Sequence, residues 1–85
     1  MPEETPEIRL KRLHIRSWRR GMKEMDLLLG PFSDGPIRAL NAAALDAYEA
    51  LLDENDQDLF RWFSGAAAVP SEHLAMVQYI QSSRN

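Results

Sequence analysis

The most concentrated chemistry in the chain lies in Arg19-Arg20-Gly21-Met22-Lys23-Glu24-Met25-Asp26, where cations and carboxylates crowd around one glycine. Arg20 and Glu24 stand four residues apart, the spacing of neighbours on a helix surface. Two features argue against a local ion pair between them. The acid is better placed before the base on a helix and here the order is reversed, while Gly21 between them is a poor helix former. A glycine flanked by a cation and a carboxylate instead suits contact with another molecule: the missing side chain lets a second backbone approach, and the two charges bond on either side. The stretch is also a charge boundary. From Arg9 to Lys23 seven basic residues occur with no acid, whereas Glu24 to Asn85 holds ten acids and three bases.

Other chemistry finds little support. His14 and His73 are far apart and no cysteine accompanies them, so the spacing of a metal site is missing and each reads as a packed or surface histidine. There is no glycine-rich phosphate loop and no nucleophilic-serine elbow. The acidic turn Asp53–Asp58 lacks the glycine and terminal glutamate of a calcium loop and reads as helix capping. Leu59-Phe60-Arg61-Trp62-Phe63 could stack on a flavin or a base, but aromatic residues at helical spacing read first as core. The basic segment before Gly21 could meet phosphates, which keeps a small basic-helix nucleic-acid-binding regulator as the alternative function. A net charge of −3 opposes a polyanion at long range and favours an acidic protein surface as the partner.

Helices must position these residues. Residues 1–7 read as a flexible arm and residues 8–85 as a single all-α domain, a compact bundle of five short helices. The first runs from Ile8 to Arg20, with Leu10, Leu13, His14 and Ser17 on its apolar face and its arginines turned outward. Gly21 breaks it. A second helix, Met22 to Leu29, ends at Gly30-Pro31, because proline cannot continue a helix and biases its predecessor towards extended geometry. Phe32 to Pro36 is loop, with Phe32 turned inward. Asp34 or Asn41 could cap the third helix, and Asn41 is favoured, with Leu45, Tyr48, Leu51 and Leu52 facing the core. Asn55 or Asp56 caps a fourth, Gln57 to Ser64, ended by Gly65 and mostly core through Leu59, Phe60, Trp62 and Phe63. Pro70-Ser71 opens the last, whose buried stripe is either Leu74, Val77 and Ile80 or Val77 and Ile80 flanked by Met76 and Tyr79.

Composition bounds the class. Eighty-five residues can bury one core but leave little for a deep catalytic cleft, so no enzyme is expected. The acidic, Pro-interrupted start differs from secretory and transit segments, and no apolar run approaches the roughly 18–20 residues of a membrane span. The expectation is a bacterial cytoplasmic protein, a monomer when free.

Arg19 to Asp26, followed by Phe32, Leu51-Leu52, Asp56-Gln57-Asp58-Leu59-Phe60-Arg61-Trp62 and Met76-Val77-x-x-Ile80, resembles the small flavinylation factors of succinate dehydrogenase. The resemblance covers nearly the whole chain after the N-terminal arm. It implies a non-catalytic chaperone without a cofactor of its own, which binds the flavoprotein subunit of succinate dehydrogenase, with fumarate reductase as a second candidate. There it promotes the bond between a histidine of that subunit and the 8α-methyl group of FAD. It places Arg20, Gly21 and Glu24 at the contact, with Arg19, Met22 and Asp26 beside them. An antitoxin-like role, also attached to the family, is the less favoured implication. Ala66-Ala67-Ala68-Val69 departs from the family in being less polar than expected of that linker.

Overall fold

The computed structural model describes residues 4–84, and its helices follow from where the chain can satisfy its ends. Helix α1, Pro6–Trp18, begins at a threonine: the Thr5 hydroxyl accepts from the Ile8 amide at 3.2 Å, and Pro6 fills a first-turn position that needs no N–H. The helix thus starts two residues earlier than expected. Of the expected arm, residues 1–3 lie outside the described residues. At its other end α1 stops at Trp18, before Gly21, and Arg19–Met22 form a link to α2.

Helix α2, Lys23–Asp34, runs through Gly30-Pro31, against the expectation that it stops there. The reason is a tertiary contact. A Cβ on Gly30 would come within 2.4 Å of the Trp18 indole, so Gly30 is the place where α1 lies directly on α2. The apolar stripe continues past it through Leu28, Leu29 and Phe32, all buried. Pro31 removes only the amide that the Leu27 carbonyl would have received, and both residues are exposed, on the wet side of the helix. Phe32 is buried as expected, its ring 5.2 Å from that of Tyr48 and edge-on to Tyr79.

A 3-10 turn, Pro36–Ala39, then leads to α3, Ala42–Leu52, where the Asn41 side chain accepts from the Ala44 amide at 2.8 Å. Asn41 is therefore the cap, and Leu45, Tyr48, Leu51 and Leu52 are buried as the spacing predicts. Asn55 likewise caps α4, Asp56–Ser64, which ends at Gly65 in the left-handed conformation at φ 84°. Only Leu59 of its apolar run is fully buried; Trp62 and Phe63 are half-buried and Phe60 is exposed. This corrects the reading of that run as mostly core. Residues 59, 62 and 63 make one helical stripe, and Phe60 falls off it. Helix α5, Ser71–Ser82, buries His73, Met76, Val77 and Ile80 at the same spacing and leaves Leu74 outside, so the second of the two stripes holds except at Tyr79, which meets Phe32 edge-on but stays exposed.

The core forms where α1, α2, α3 and α5 converge, and no strand occurs among the described residues. The bundle of five short helices is as expected. At its centre Tyr48 is completely buried, and its hydroxyl sits 2.6 Å from Ser17 Oγ. Ser17 spends its own proton on the Leu13 carbonyl at 2.7 Å, so Tyr48 is the donor of the pair. Burial pushes the Tyr48 phenol up to about 12, with the Ser17 contact opposing the rise.

Candidate docking site

The Arg19–Met22 link is held from three sides. Arg20 Nε donates to Asp56 Oδ1 at 2.6 Å, and its two Nη atoms donate to the Leu52 and Glu54 carbonyls, each at 2.7 Å. Those carbonyls belong to the turn between α3 and α4, so the guanidinium closes that turn as it anchors the link. Asp56 then reaches past Arg20, its second oxygen accepting from the Gly21 amide. From α2, Asp26 Oδ1 accepts from the Arg20 amide at 2.6 Å. Asp26 and Glu24 sit in the first turn of α2, where the amide dipoles favour acids.

The six residues singled out by resemblance divide accordingly. Arg20 is turned inward, its side chain only 10% exposed, and Asp26 braces it from behind. Met22 is half-buried against the core at the start of α2. Arg19, Gly21 and Glu24 are exposed along one edge, with Lys23 beside them. No ion pair joins Arg20 to Glu24 among the described residues, as the reversed charge order predicts. Gly21 has an internal reason besides any partner: a Cβ there would sit 3.0 Å from Asp56 Oδ2, crowding the carboxylate that holds the link. Asp56 is the residue that local spacing missed, since it lies 36 positions from Arg20.

The arginines of α1 also turn inward, which corrects their expected outward presentation. Arg9 bonds Asp46 and Glu49 at 2.6 and 3.1 Å. Arg12 bonds Glu49 at 2.7 Å and grips Glu4 through two nitrogens. Arg16 bonds Asp53 at 2.9 Å. Bases at 9, 12 and 16 thus meet acids at 46, 49 and 53 in a ladder across the α1–α3 seam, and Arg20 on Asp56 joins the link to α4 beyond it. The hydrogen bond from Arg12 holds the Glu49 carboxyl below its ordinary range, and Arg9 reinforces the shift. Four of the seven cations that made nucleic acid an alternative are thus neutralised within the fold.

Both histidines are engaged. His14 Nδ1 lies 3.1 Å from Ser33 Oγ and 3.2 Å from Asp34 Oδ1. His73 is buried, stacks beside Trp62 and lies 2.7 Å from Glu54 Oε2. Glu72 comes near enough that Glu54, Glu72 and His73 offer three donor atoms within 4.8 Å, a grouping the spacing of the sequence does not reveal. The His73–Glu54 contact joins two of the three, and Glu72 is exposed beside them.

Residues 11–84 match a family described as the flavinator of succinate dehydrogenase. The chain is 35% identical over 88 residues to succinate dehydrogenase assembly factor 2 of Schizosaccharomyces pombe, a match covering 96% of this chain and 63% of that one. Against the factor of Dictyostelium discoideum identity is 44% over 62 residues, covering 73% of this chain and 44% of the relative. Against factor 2-B of Drosophila willistoni it is 39% over 74 residues, 85% and 47% respectively. The chain therefore spans less than two thirds of the length of these curated relatives. All three are named as mitochondrial, which overturns the expected bacterial cytoplasmic location. The composition of a folded domain carries no address, and the acidic opening residues were a poor guide to one. No helix among the described residues is long and apolar enough to cross a membrane. A match that runs from the second turn of α1 to beyond the end of α5 takes in all or most of every helix of the fold, and the chain belongs to the succinate dehydrogenase flavinator family.

Proposed function

We propose that the chain is a binding factor that promotes covalent attachment of FAD to the flavoprotein subunit of succinate dehydrogenase. The observation that carries this reading is the edge formed by Arg19, Gly21 and Glu24, exposed yet fixed from behind by Arg20, Asp26 and Asp56. A link already locked in one shape loses little conformational freedom on docking, so its contacts count more fully towards affinity. Arg20 and Asp26 are positioning residues, and Arg19, Gly21 and Glu24 meet the partner. Family membership supports the identity of that partner, as do the names of the curated relatives.

Binding alone is enough for the role. If the subunit's histidine and FAD meet in one of several domain arrangements, a ligand that prefers that arrangement raises its population by its differential affinity. Holding two reacting groups in line supplies much of a barrier reduction without any proton-transfer residue from the factor. On this reading the factor binds the protein and acts neither as an enzyme nor on nucleic acid.

The test is co-expression with the flavoprotein subunit in a host lacking its own factor, scored by in-gel flavin fluorescence. Glu24→Ala is the clean variant, because Glu24 is exposed and takes no part in holding the link; Gly21→Arg would also crowd Asp56. Expected are loss of covalent flavin with Glu24→Ala and normal labelling with Glu72→Ala on α5. Wild-type labelling by Glu24→Ala overturns the assignment of the edge.

A further inference from the structure

Several large apolar side chains stay exposed, and two of them share one groove. Leu27 on α2 is 58% exposed, and Phe60 on α4 is 40% exposed. Between them lies a groove of about 230 Å³ with Phe63 in its wall, Glu24 at its rim and Arg84 among its lining residues. Leu27 stands three residues after Glu24 and so projects from the same side of α2, one turn along. Phe60 is the aromatic residue that falls off the buried stripe of α4. Neither side chain is buried in the core, and the two line one groove rather than standing singly on the surface.

We infer that this groove is the apolar half of the docking surface, and that it receives a large apolar side chain of the flavoprotein subunit beside a cation that meets Glu24. The inference rests on the docking role proposed above and extends it from the edge to the α2–α4 groove. Three observations select this occupant. Glu24 belongs to both the edge and the groove, so a molecule seated against that carboxylate covers Leu27 as well. The groove has room for one or two side chains and cannot take a helix. Two half-exposed side chains also fall far short of the roughly 800 Å² per partner of a stable specific interface, so a second copy gripping here alone would not hold. A partner that engages the edge at the same time can reach that area. Charge fits too: an acid and a base among the lining residues suit a segment whose apolar residue is flanked by charges of opposite sign.

Interface aromatics and their neighbours commonly carry a disproportionate share of affinity when desolvated beside a polar rim. The experiment measures affinity of the full chain for the isolated flavoprotein subunit by calorimetry, with thermal melting alongside. Leu27→Ala and Phe60→Ala should each weaken binding by about tenfold to a hundredfold while melting temperatures stay close to wild type. Ile8→Ala and Leu74→Ala, which shorten exposed apolar residues elsewhere, should leave affinity unchanged. If Glu24→Ala weakens binding but Leu27→Ala and Phe60→Ala do not, the groove is not part of the interface and the docking edge stands alone. If the wild-type chain fails to bind the subunit, the docking role falls and the groove with it. A concentration-dependent dimer in sedimentation that Leu27→Ala abolishes would assign the groove to a second copy, against the inference.

Discussion

The two charged regions of this molecule use the same residue types to opposite ends. Along the α1–α3 seam, Arg9, Arg12 and Arg16 meet Asp46, Glu49 and Asp53, and the charge is spent within the fold. At the Arg19–Glu24 edge only Arg20 is spent that way, and its burial leaves Arg19, Lys23 and Glu24 in solvent. The difference lies in what surrounds each pair. Two of the ladder's acids are wet, Asp46 and Asp53 having side chains 72% and 70% exposed, so their pairs contribute little. The Arg20–Asp56 pair is 10% and 17% exposed and is completed by two carbonyls and a backbone amide, so its loss strands buried charge. Charge that fastens the Arg19–Met22 link is therefore worth more to the fold than the longer ladder, although the ladder looks richer in the sequence.

The sharpest way to break that contrast is Asp56→Ala. It should lower unfolding free energy by about 3 kcal/mol, near the lower end for breaking a buried pair, against about 0.5 kcal/mol for Asp46→Ala. Urea midpoints compare the two directly. Arg20→Lys should also destabilise, because an ammonium cannot hold Asp56 and both turn carbonyls in the fork that the guanidinium provides. Equal midpoints for Asp56→Ala and Asp46→Ala would erase the distinction.

Titration probes the seam next. Tyr48 lies under the seam and its phenol is raised from 10.0 to about 12. Its contribution is complete below the unfolded value and is lost as pH rises between the two, by about 2 kcal/mol at the upper end. Melting temperature should therefore fall across that alkaline window, and Tyr48→Phe should flatten the fall. Glu49 gives the acid counterpart. Its folded pKa lies below 4.5, so its stabilisation is present above that value and fades as pH drops through the folded one. Glu49→Gln should cost about 1 kcal/mol at neutral pH and remove part of the acid dependence.

Much of the fold is legible in the sequence, because caps and stripes are local. Asn41, Asn55 and Gly65 bound their helices through bonds to residues within a few positions, and Leu45, Tyr48, Leu51 and Leu52 share a face by spacing alone. What escaped is what depends on distant partners. Gly30-Pro31 reads as a helix stop, yet the Trp18 ring lying against Gly30 keeps α2 going. The arginines of α1 read as outward because their acids lie more than thirty positions away. Arg20-Gly21-x-x-Glu24 was legible as an unusual site, and the reversed charge order correctly ruled out a pair between its ends. The same spacing could not say that Arg20 faces inward to Asp56 while Gly21 and Glu24 stay exposed.

That division makes the smallest stability effect the most informative one. Glu24 is exposed, forms no ion pair among the described residues and lies off the buried stripe of Met25, Leu28 and Leu29. Glu24→Ala should shift unfolding free energy by less than about 0.5 kcal/mol, the ordinary range for such a surface change. Asp56→Ala should weaken partner binding too, but by loosening the link together with the fold, so its two effects travel together. If Glu24 belongs to the edge, its variant separates them: the urea midpoint stays at wild type while covalent flavin on the partner is lost. A Glu24→Ala chain that lost stability in proportion to function would place Glu24 with the brace, and the contrast between charge that holds the link and charge that faces the partner would collapse.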